Sequence, residues 1–153
     1  MDIKDVLFKE IDLIQDCIKR MANNSFFIKG WLITLFAVAL ALIPESIDIR
    51  PVCIVGLVVI SCFWYLDAFF LKMERLYRWK YEWVIKNRNA SNDEFYFDLN
   101  PYNEKMWLPN KEGKCKKQPF IVSIMFSKTL IPLYVLLIMA ILVVLLNTFF
   151  SWI

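Results

Sequence analysis

The sequence has no histidine, only three glycines and no pair of cysteines in a CxxC pattern. Without histidine, the usual Ser-His and Cys-His nucleophile pairs cannot form, because they need an imidazole to take the proton. A phosphate-binding loop needs closely spaced glycines, and Gly30, Gly56 and Gly113 are far apart. The four cysteines lack the spacing of a zinc site. We therefore expect no catalytic residues, no bound metal and no cofactor, and we predict that the protein is not an enzyme.

Apolar residues are in excess, at 59% of 153 residues, whereas an ordinary soluble domain has about 45–50%. The excess is concentrated in three stretches, 26–43, 52–71 and 129–150. A helix needs roughly 20 apolar residues to cross the hydrocarbon core of a bilayer. The pattern predicts an all-α membrane protein with three transmembrane helices, of which 26–43 and 52–71 form a hairpin.

The first 24 residues predict an amphipathic helix that precedes the first span. Its apolar stripe, at spacings of four and three, consists of Leu7, Ile11, Ile14 and Ile18. The stripe could pack on another helix of the same chain, on a neighbouring subunit as an oligomer contact, or in lipid headgroups. Asn23 and Asn24 interrupt the pattern, so we expect the helix to end there.

The second span is predicted to continue beyond the membrane as a long cytosolic helix, from about Val52 to about Lys86. No glycine or proline occurs between Leu71 and Asn87, and the residue types favour a helix. Residues 72–128 would form a cytosolic stem and cap, in which the alternation in 95–99 suggests a short strand. The predicted organisation is thus 1–24, 25–71, 72–128 and 129–153, with residues 120–128 as an amphipathic lead-in to the last span.

Positive charge indicates the orientation. Residues 1–29 carry five Lys and Arg, residues 72–128 carry twelve, and the connection between the first two spans carries only Arg50. Since cytoplasmic segments are enriched in these residues, the N-terminus and the central region are predicted to be cytoplasmic and the C-terminus outside. The expected location is the plasma membrane, which the chain would cross three times.

Asp67 lies within the second span, where an unpaired carboxylate is costly. Lys29 and Lys128 are expected at a similar depth, near the cytoplasmic ends of the first and third spans. Three interpretations stay open for this charge cluster: an ion pair that fixes the helix register at the inner interface, snorkelling of the side chains towards water, or a charged ring at the mouth of an oligomeric pore. Asn147 in the third span is a candidate for an interhelical hydrogen bond.

The predicted stem interleaves cations and aromatic residues, among them Lys72, Arg75, Arg78 and Trp79. Such a mixture suits contact with anionic lipid headgroups, packing on the central region, or binding of a phosphorylated ligand. The lipid interpretation is the simplest for a segment that follows a span, and no nucleic acid partner is expected.

The run Trp64–Arg78 resembles a recurring "LDxxxLxxERLxR" segment of small bacterial membrane proteins, with Asp67, Glu74, Arg75 and Arg78 at its charged positions. The layout is similar to the two-span effector modules that accompany nucleotide-sensing anti-phage systems, although this chain has a third span. The resemblance implies a homo-oligomeric effector that permeabilises the inner membrane, with a defence-system sensor protein as partner. The alternative is a non-conducting anchor that recruits a soluble partner through its cytosolic region.

Overall fold

The computed structural model describes residues 3–42, 48–88, 94–110 and 113–150, and over these residues its regular elements are all helical. The helices are α1 (Ile3–Leu42), α2 (Ile49–Arg88), a 3₁₀ helix (Glu104–Met106), α3 (Ile121–Met125) and α4 (Ile131–Phe150). Three of them, α1, α2 and α4, are long and apolar enough to cross a membrane. The predicted all-α membrane class is confirmed, and the protein is membrane-associated.

The chain divides into two compact units. The polar unit consists of Met1–Asn24 and Phe70–Phe120, and the span unit consists of Ser25–Phe69 and Ile121–Ile153. The divisions after residues 24 and 69 fall within two residues of the predicted boundaries at 24 and 71. Residues 121–128, expected in the cap, group with the spans instead. Here α3 precedes a short turn before α4 begins, with Pro132 in its first turn, where a missing N–H costs no helical hydrogen bond.

In the span unit, the helices bury one narrow face and leave large apolar side chains exposed on the others. Leu32 of α1, Ile60 of α2 and Leu137 of α4 are buried, whereas Trp31, Val58 and Leu136 are more than half exposed. In water such a surface would be unfavourable by roughly 25 cal/mol per Å² of apolar area. In a bilayer the same surface faces hydrocarbon, which accounts for its composition.

In the polar unit, the amphipathic stripe of α1 packs on α2 of the same chain. Ile14 belongs to a buried cluster with Trp83, Val84 and Met106. The other stripe residues, Leu7, Ile11 and Ile18, pack against this cluster. Contacts within one chain thus cover this face, which matches the first of its three alternatives.

The predicted helix end at Asn23 and Asn24 is wrong, because α1 runs without a break from Ile3–Leu42. Asparagine costs only about 0.7 kcal/mol relative to alanine inside a helix, and packing on both sides of the pair outweighs that cost. The predicted end of the first span, at residue 43, lies outside the described residues. By contrast, the long helix predicted from Val52 to Lys86 is confirmed by α2.

The short strand predicted for 95–99 is also wrong. Glu94–Phe97 form a turn, with φ of 59° at Phe95 and 53° at Phe97. A strand cannot contain these left-handed conformations. Tertiary partners hold the turn instead: Arg88 Nη1 donates to the Glu94 carbonyl at 2.6 Å, and the Phe97 N–H donates to Glu10 at 3.2 Å.

Candidate functional site

The candidate site of the span unit is built around the carboxylate of Asp67. This residue lies in α2 and is completely buried, at 0% exposure. An ionised carboxylate inside an apolar bundle is tolerated only when other groups replace the hydrogen bonds that water would have made. Its partners therefore decide what the site can do.

Lys29 of α1 supplies the opposite charge. Its Nζ lies 2.7 Å from Oδ2 and 2.8 Å from Oδ1 of Asp67, so one ammonium spans both carboxylate oxygens. The Lys29 side chain keeps 28% of its surface exposed. The long aliphatic stem thus lets the ammonium reach the buried carboxylate from the edge of the bundle.

Lys128, the third predicted member of the charge cluster, is exposed and forms no ion pair with any residue that the structure describes. It lies in the turn between α3 and α4, beside a hydrogen bond between the hydroxyls of Ser127 and Thr129 at 3.0 Å. The structure therefore brings together Lys29 and Asp67 and leaves Lys128 apart.

Two hydroxyl groups that the sequence analysis missed complete the site. Ser25, one helical turn before Lys29 on α1, donates its hydroxyl to Asp67 Oδ1 and accepts from Lys29 Nζ at 2.7 Å. Tyr134, in the first turn of α4, donates its hydroxyl to Asp67 Oδ2 at 2.9 Å. Each residue lies near the same end of its span as Asp67, but this position alone did not single them out, because hydroxyl side chains are common in membrane helices.

We call Ser25, Lys29, Asp67 and Tyr134 the Asp67 cluster. It joins α1, α2 and α4 through a single carboxylate, so each of the three candidate spans contributes to it. Removing one partner from a buried ion pair typically costs about 3–5 kcal/mol, because the other charge remains without compensation. The cluster can therefore hold three spans in one arrangement and strongly disfavour any arrangement that separates them without admitting water.

Trp64 supports Tyr134 from one turn before Asp67 on α2. The Trp64 and Tyr134 rings are stacked, with centroids 5.5 Å apart and an interplanar angle of 8°. The indole N–H of Trp64 also donates to the carbonyl of Met125, the last residue of α3, at 3.0 Å. The phenol that binds Asp67 is thus positioned by a ring that is itself fixed to α3.

The four stem residues singled out in the sequence do not form one site. Arg78 pairs with Glu74 at 2.6 Å on the surface, and Trp79 packs edge-on against Trp107 with centroids 5.4 Å apart. Lys72 and Arg75 are half-buried, and Lys72 Nζ lies 6.0 Å from the centre of the Tyr102 ring. Of the three roles considered for the stem residues, Trp79 therefore has the second, packing on the central region.

Two buried ion pairs in the polar unit were not anticipated. Arg88 binds Glu10 through two parallel hydrogen bonds of 2.9 and 3.0 Å, and both side chains are almost fully buried. The guanidinium also lies 4.0 Å from the centre of the Tyr96 ring. This geometry is the planar, bidentate pairing for which arginine is suited, and it ties the first helix to the end of the second.

The second pair joins Lys80, which is only 1% exposed, to Asp98 at 3.3 Å. Burial lowers the pKa of Lys80 below its ordinary value, and the charges of Asp98 and Glu10 only partly oppose this effect. For Asp98, burial acts to raise the pKa, but hydrogen bonds from Asn103, the Asn100 backbone and Lys80 outweigh it and lower the pKa. The carboxylate form of Asp98 is thus favoured in the folded protein.

Among the residues that the structure describes, no group of three or more acidic, cysteine or histidine side chains is arranged to hold a metal ion. Comparison with known proteins finds no matching family model, no similar curated protein and no similar solved structure. The geometry of the Asp67 cluster is therefore the main basis for a functional proposal.

Proposed function

We propose that this protein is a homo-oligomeric effector of the bacterial inner membrane that permeabilises or depolarises the membrane when triggered, in defence against bacteriophages. The observation that carries the proposal is the Asp67 cluster, in which the buried Asp67 pairs with Lys29 of α1 and accepts a hydrogen bond from Tyr134 of α4, so that all three spans are linked. Charged residues inside spans are rare and commonly mark ion pathways or switches. The resemblance of Trp64–Arg78 to a segment of small bacterial membrane proteins, and of the layout to two-span effector modules, supports the same function.

In this proposal the Asp67 cluster holds the resting, closed state. Its carboxylate has three side-chain partners within one chain, so the resting bundle needs no water around the charge. A trigger that separates α1 from α2 would leave Lys29 and Asp67 unpaired. Two unpaired charges inside a membrane require water, and a water-filled path between helices conducts ions.

Three spans are too few to enclose a wide channel, so the proposal includes several copies of the chain. Asn147 of α4 is exposed within an apolar helix and has no hydrogen-bond partner among the described residues. An amide in hydrocarbon gains from a partner on a neighbouring helix, and two asparagines can satisfy each other because each donates and accepts. We expect Asn147→Leu to shift the protein towards smaller assemblies in mild detergent, whereas Thr148→Val leaves the assembly unchanged.

The distribution of Lys and Arg supports a cytoplasmic polar unit. That location would let a soluble sensor of the defence system reach the unit and act on α1 and α2. Reporter fusions after residue 20 and after residue 150 test the orientation, since the first is expected to be cytoplasmic and the second periplasmic.

The main test is the leak of liposomes that contain the purified protein, measured with a potassium diffusion potential and a voltage-sensitive dye. We expect Asp67→Asn to leak at least tenfold faster than the unmodified protein, because Lys29 loses its counter-ion. The matched control is Asp16→Asn, which alters an exposed surface pair and is expected to leave the leak unchanged. Combining Lys29→Gln with Asp67→Asn removes both charges and is expected to restore the slow leak. A folded Asp67→Asn protein that leaks no faster than the Asp16→Asn control would contradict the proposal.

A second candidate function, the non-conducting anchor, is favoured by the same completeness of the Asp67 cluster. A carboxylate satisfied within one chain is also what a permanent structural ion pair requires. In that case neither Asp67→Asn nor any trigger changes the leak. The polar unit then retains a soluble partner at the membrane whether or not the charge pair is intact.

A further inference from the structure

A cavity of about 210 Å³ lies inside the span unit, away from the Asp67 cluster. All three long helices line it, through Phe36 and Leu40 of α1, Cys53 and Gly56 of α2, and Ala140 and Ile141 of α4. Protein interiors are normally packed without voids larger than a water molecule. We therefore expect a cavity of this size between helices to be filled by a bound group.

The walls determine the chemistry of that occupant. All the lining residues are apolar apart from the weakly polar thiol of Cys53. A buried water molecule needs two to four polar partners, and a dry apolar cavity of about 150 Å³ takes up a small hydrocarbon such as benzene. The cavity therefore suits a hydrocarbon group and excludes a polar or charged ligand.

The cavity has a buried floor and an exposed rim. Cys53 and Ile141 at the floor are 6% and 7% exposed, whereas Leu40 at the rim is 61% exposed. The rim residues Leu40 and Val144 are exposed and apolar, like the surface that the three spans present to the bilayer. A chain that enters from the lipid could thus reach the floor without crossing any polar group.

Gly56 allows α4 to pack closely on α2 at the floor of the cavity. A Cβ added at this position would lie 3.0 Å from Cδ1 of Ile141, a distance that would force the isoleucine to move. The absence of a side chain at Gly56 therefore lets Ile141 keep its place as part of the floor.

We propose that this cavity binds one acyl chain of a bilayer phospholipid, inserted between α1, α2 and α4. Phospholipid chains are the hydrocarbon that surrounds the rim, and the apolar path leads from them to the floor. This site does not depend on the proposed effector function.

The experiment uses the full-length protein in phosphatidylethanolamine and phosphatidylglycerol liposomes that contain a phospholipid with a photoreactive diazirine on one acyl chain. After illumination, adducts are mapped by mass spectrometry. We expect adducts on the floor residues Cys53 and Ile141 at a yield within threefold of that on Val58, which is 60% exposed to lipid. Adducts on Val58 without adducts on the floor would overturn the proposal, and this measurement needs no variant.

A matched pair of substitutions tests the same point from the other direction. Ala140→Leu fills the cavity and is expected to lower labelling of Cys53 at least fivefold, whereas Ala37→Leu, on an exposed face of α1, leaves it unchanged. A free fatty acid that carries the same diazirine distinguishes the source of the chain. If the fatty acid labels the floor and the phospholipid does not, the occupant is not a phospholipid chain and the proposal fails.

Discussion

Replacement of Lys29 by methionine, of Asp67 by asparagine, and of both together measures how strongly the Asp67 cluster holds the spans. Lys29→Met keeps most of the aliphatic stem but leaves the fully buried Asp67 without a counter-charge. Asp67→Asn keeps the shape of the side chain but leaves the ammonium unpaired. The double variant removes both charges and therefore leaves no buried charge unpaired.

The two single variants are expected to lower the free energy of unfolding by different amounts, because the two side chains differ in exposure. Asp67 is 0% exposed, so Lys29→Met is expected to lower the free energy of unfolding by about 3–5 kcal/mol, the cost of breaking a buried pair. The Lys29 side chain is 28% exposed, so its ammonium can turn towards the interface, and Asp67→Asn is expected to cost less, about 2 kcal/mol. The double variant should cost about 2 kcal/mol or less, because a neutral pair of similar volume is often tolerated.

The assay is reversible unfolding in mixed detergent micelles with increasing dodecyl sulfate, followed by helical circular dichroism and tryptophan fluorescence. The coupling energy is the sum of the two single effects minus the double effect, and the values above give at least about 3 kcal/mol. The control cycle uses Lys19 and Asp16, an exposed pair at 3.8 Å, which should couple by no more than about 0.5 kcal/mol. Additive effects at Lys29 and Asp67 would refute the reasoning, since they would mean that the two charges do not interact in the bilayer-like medium.

Three further outcomes follow from individual contacts. Tyr134→Phe removes one hydrogen bond of 2.9 Å to Asp67, and in the same unfolding assay it should cost about 1.5–3 kcal/mol; a loss below about 0.5 kcal/mol would exclude this bond as a support of the cluster. Glu10→Gln leaves the buried Arg88 without its bidentate partner, so proteolysis of the polar unit should become at least tenfold faster, whereas Glu104→Gln serves as an exposed control with little effect. The pKa of Asp98 is lowered from 3.8 in the folded protein, so its stabilising contribution is complete above about pH 4 and is lost as the pH falls through the folded pKa. When the melting temperature, followed by fluorescence, is plotted against pH, Asp98→Asn should reduce the decline at acid pH. An unchanged decline would contradict the assignment.

Most of the fold could be predicted from the sequence, because the patterns that indicate its helices extend over many residues. A stretch of eighteen or more predominantly apolar residues predicts a span whatever its neighbours are, and the absence of glycine and proline after Leu71 predicts the long α2. The errors occurred where a local preference was weak. Asn23 and Asn24 only slightly disfavour a helix, and the alternation at 95–99 is too short to oppose the tertiary hydrogen bonds that hold Phe95 and Phe97 in a turn.

Only part of the candidate site could be predicted from the sequence. Asp67 and Lys29 stood out because charges are rare in spans, and their similar depth follows from the topology. Ser25 and Tyr134 carry ordinary hydroxyl groups that occur in many membrane helices, so they acquire meaning only when their distance to Asp67 is known. Lys128 matched the same depth criterion, but it is exposed in the turn before α4, and depth in the membrane does not specify which side chains meet.

Composition and hydropathy alone thus establish that this protein is an all-α membrane protein with three candidate spans. The free energy of inserting a predominantly apolar stretch of 18–22 residues into a bilayer depends mainly on its length and composition, and not on which helices it contacts. Which polar groups meet, which face of the N-terminal helix is covered, and where a cavity remains were decided only by the tertiary structure. These features depend on rotation and contact between helices, and a one-dimensional pattern of polarity leaves both undetermined.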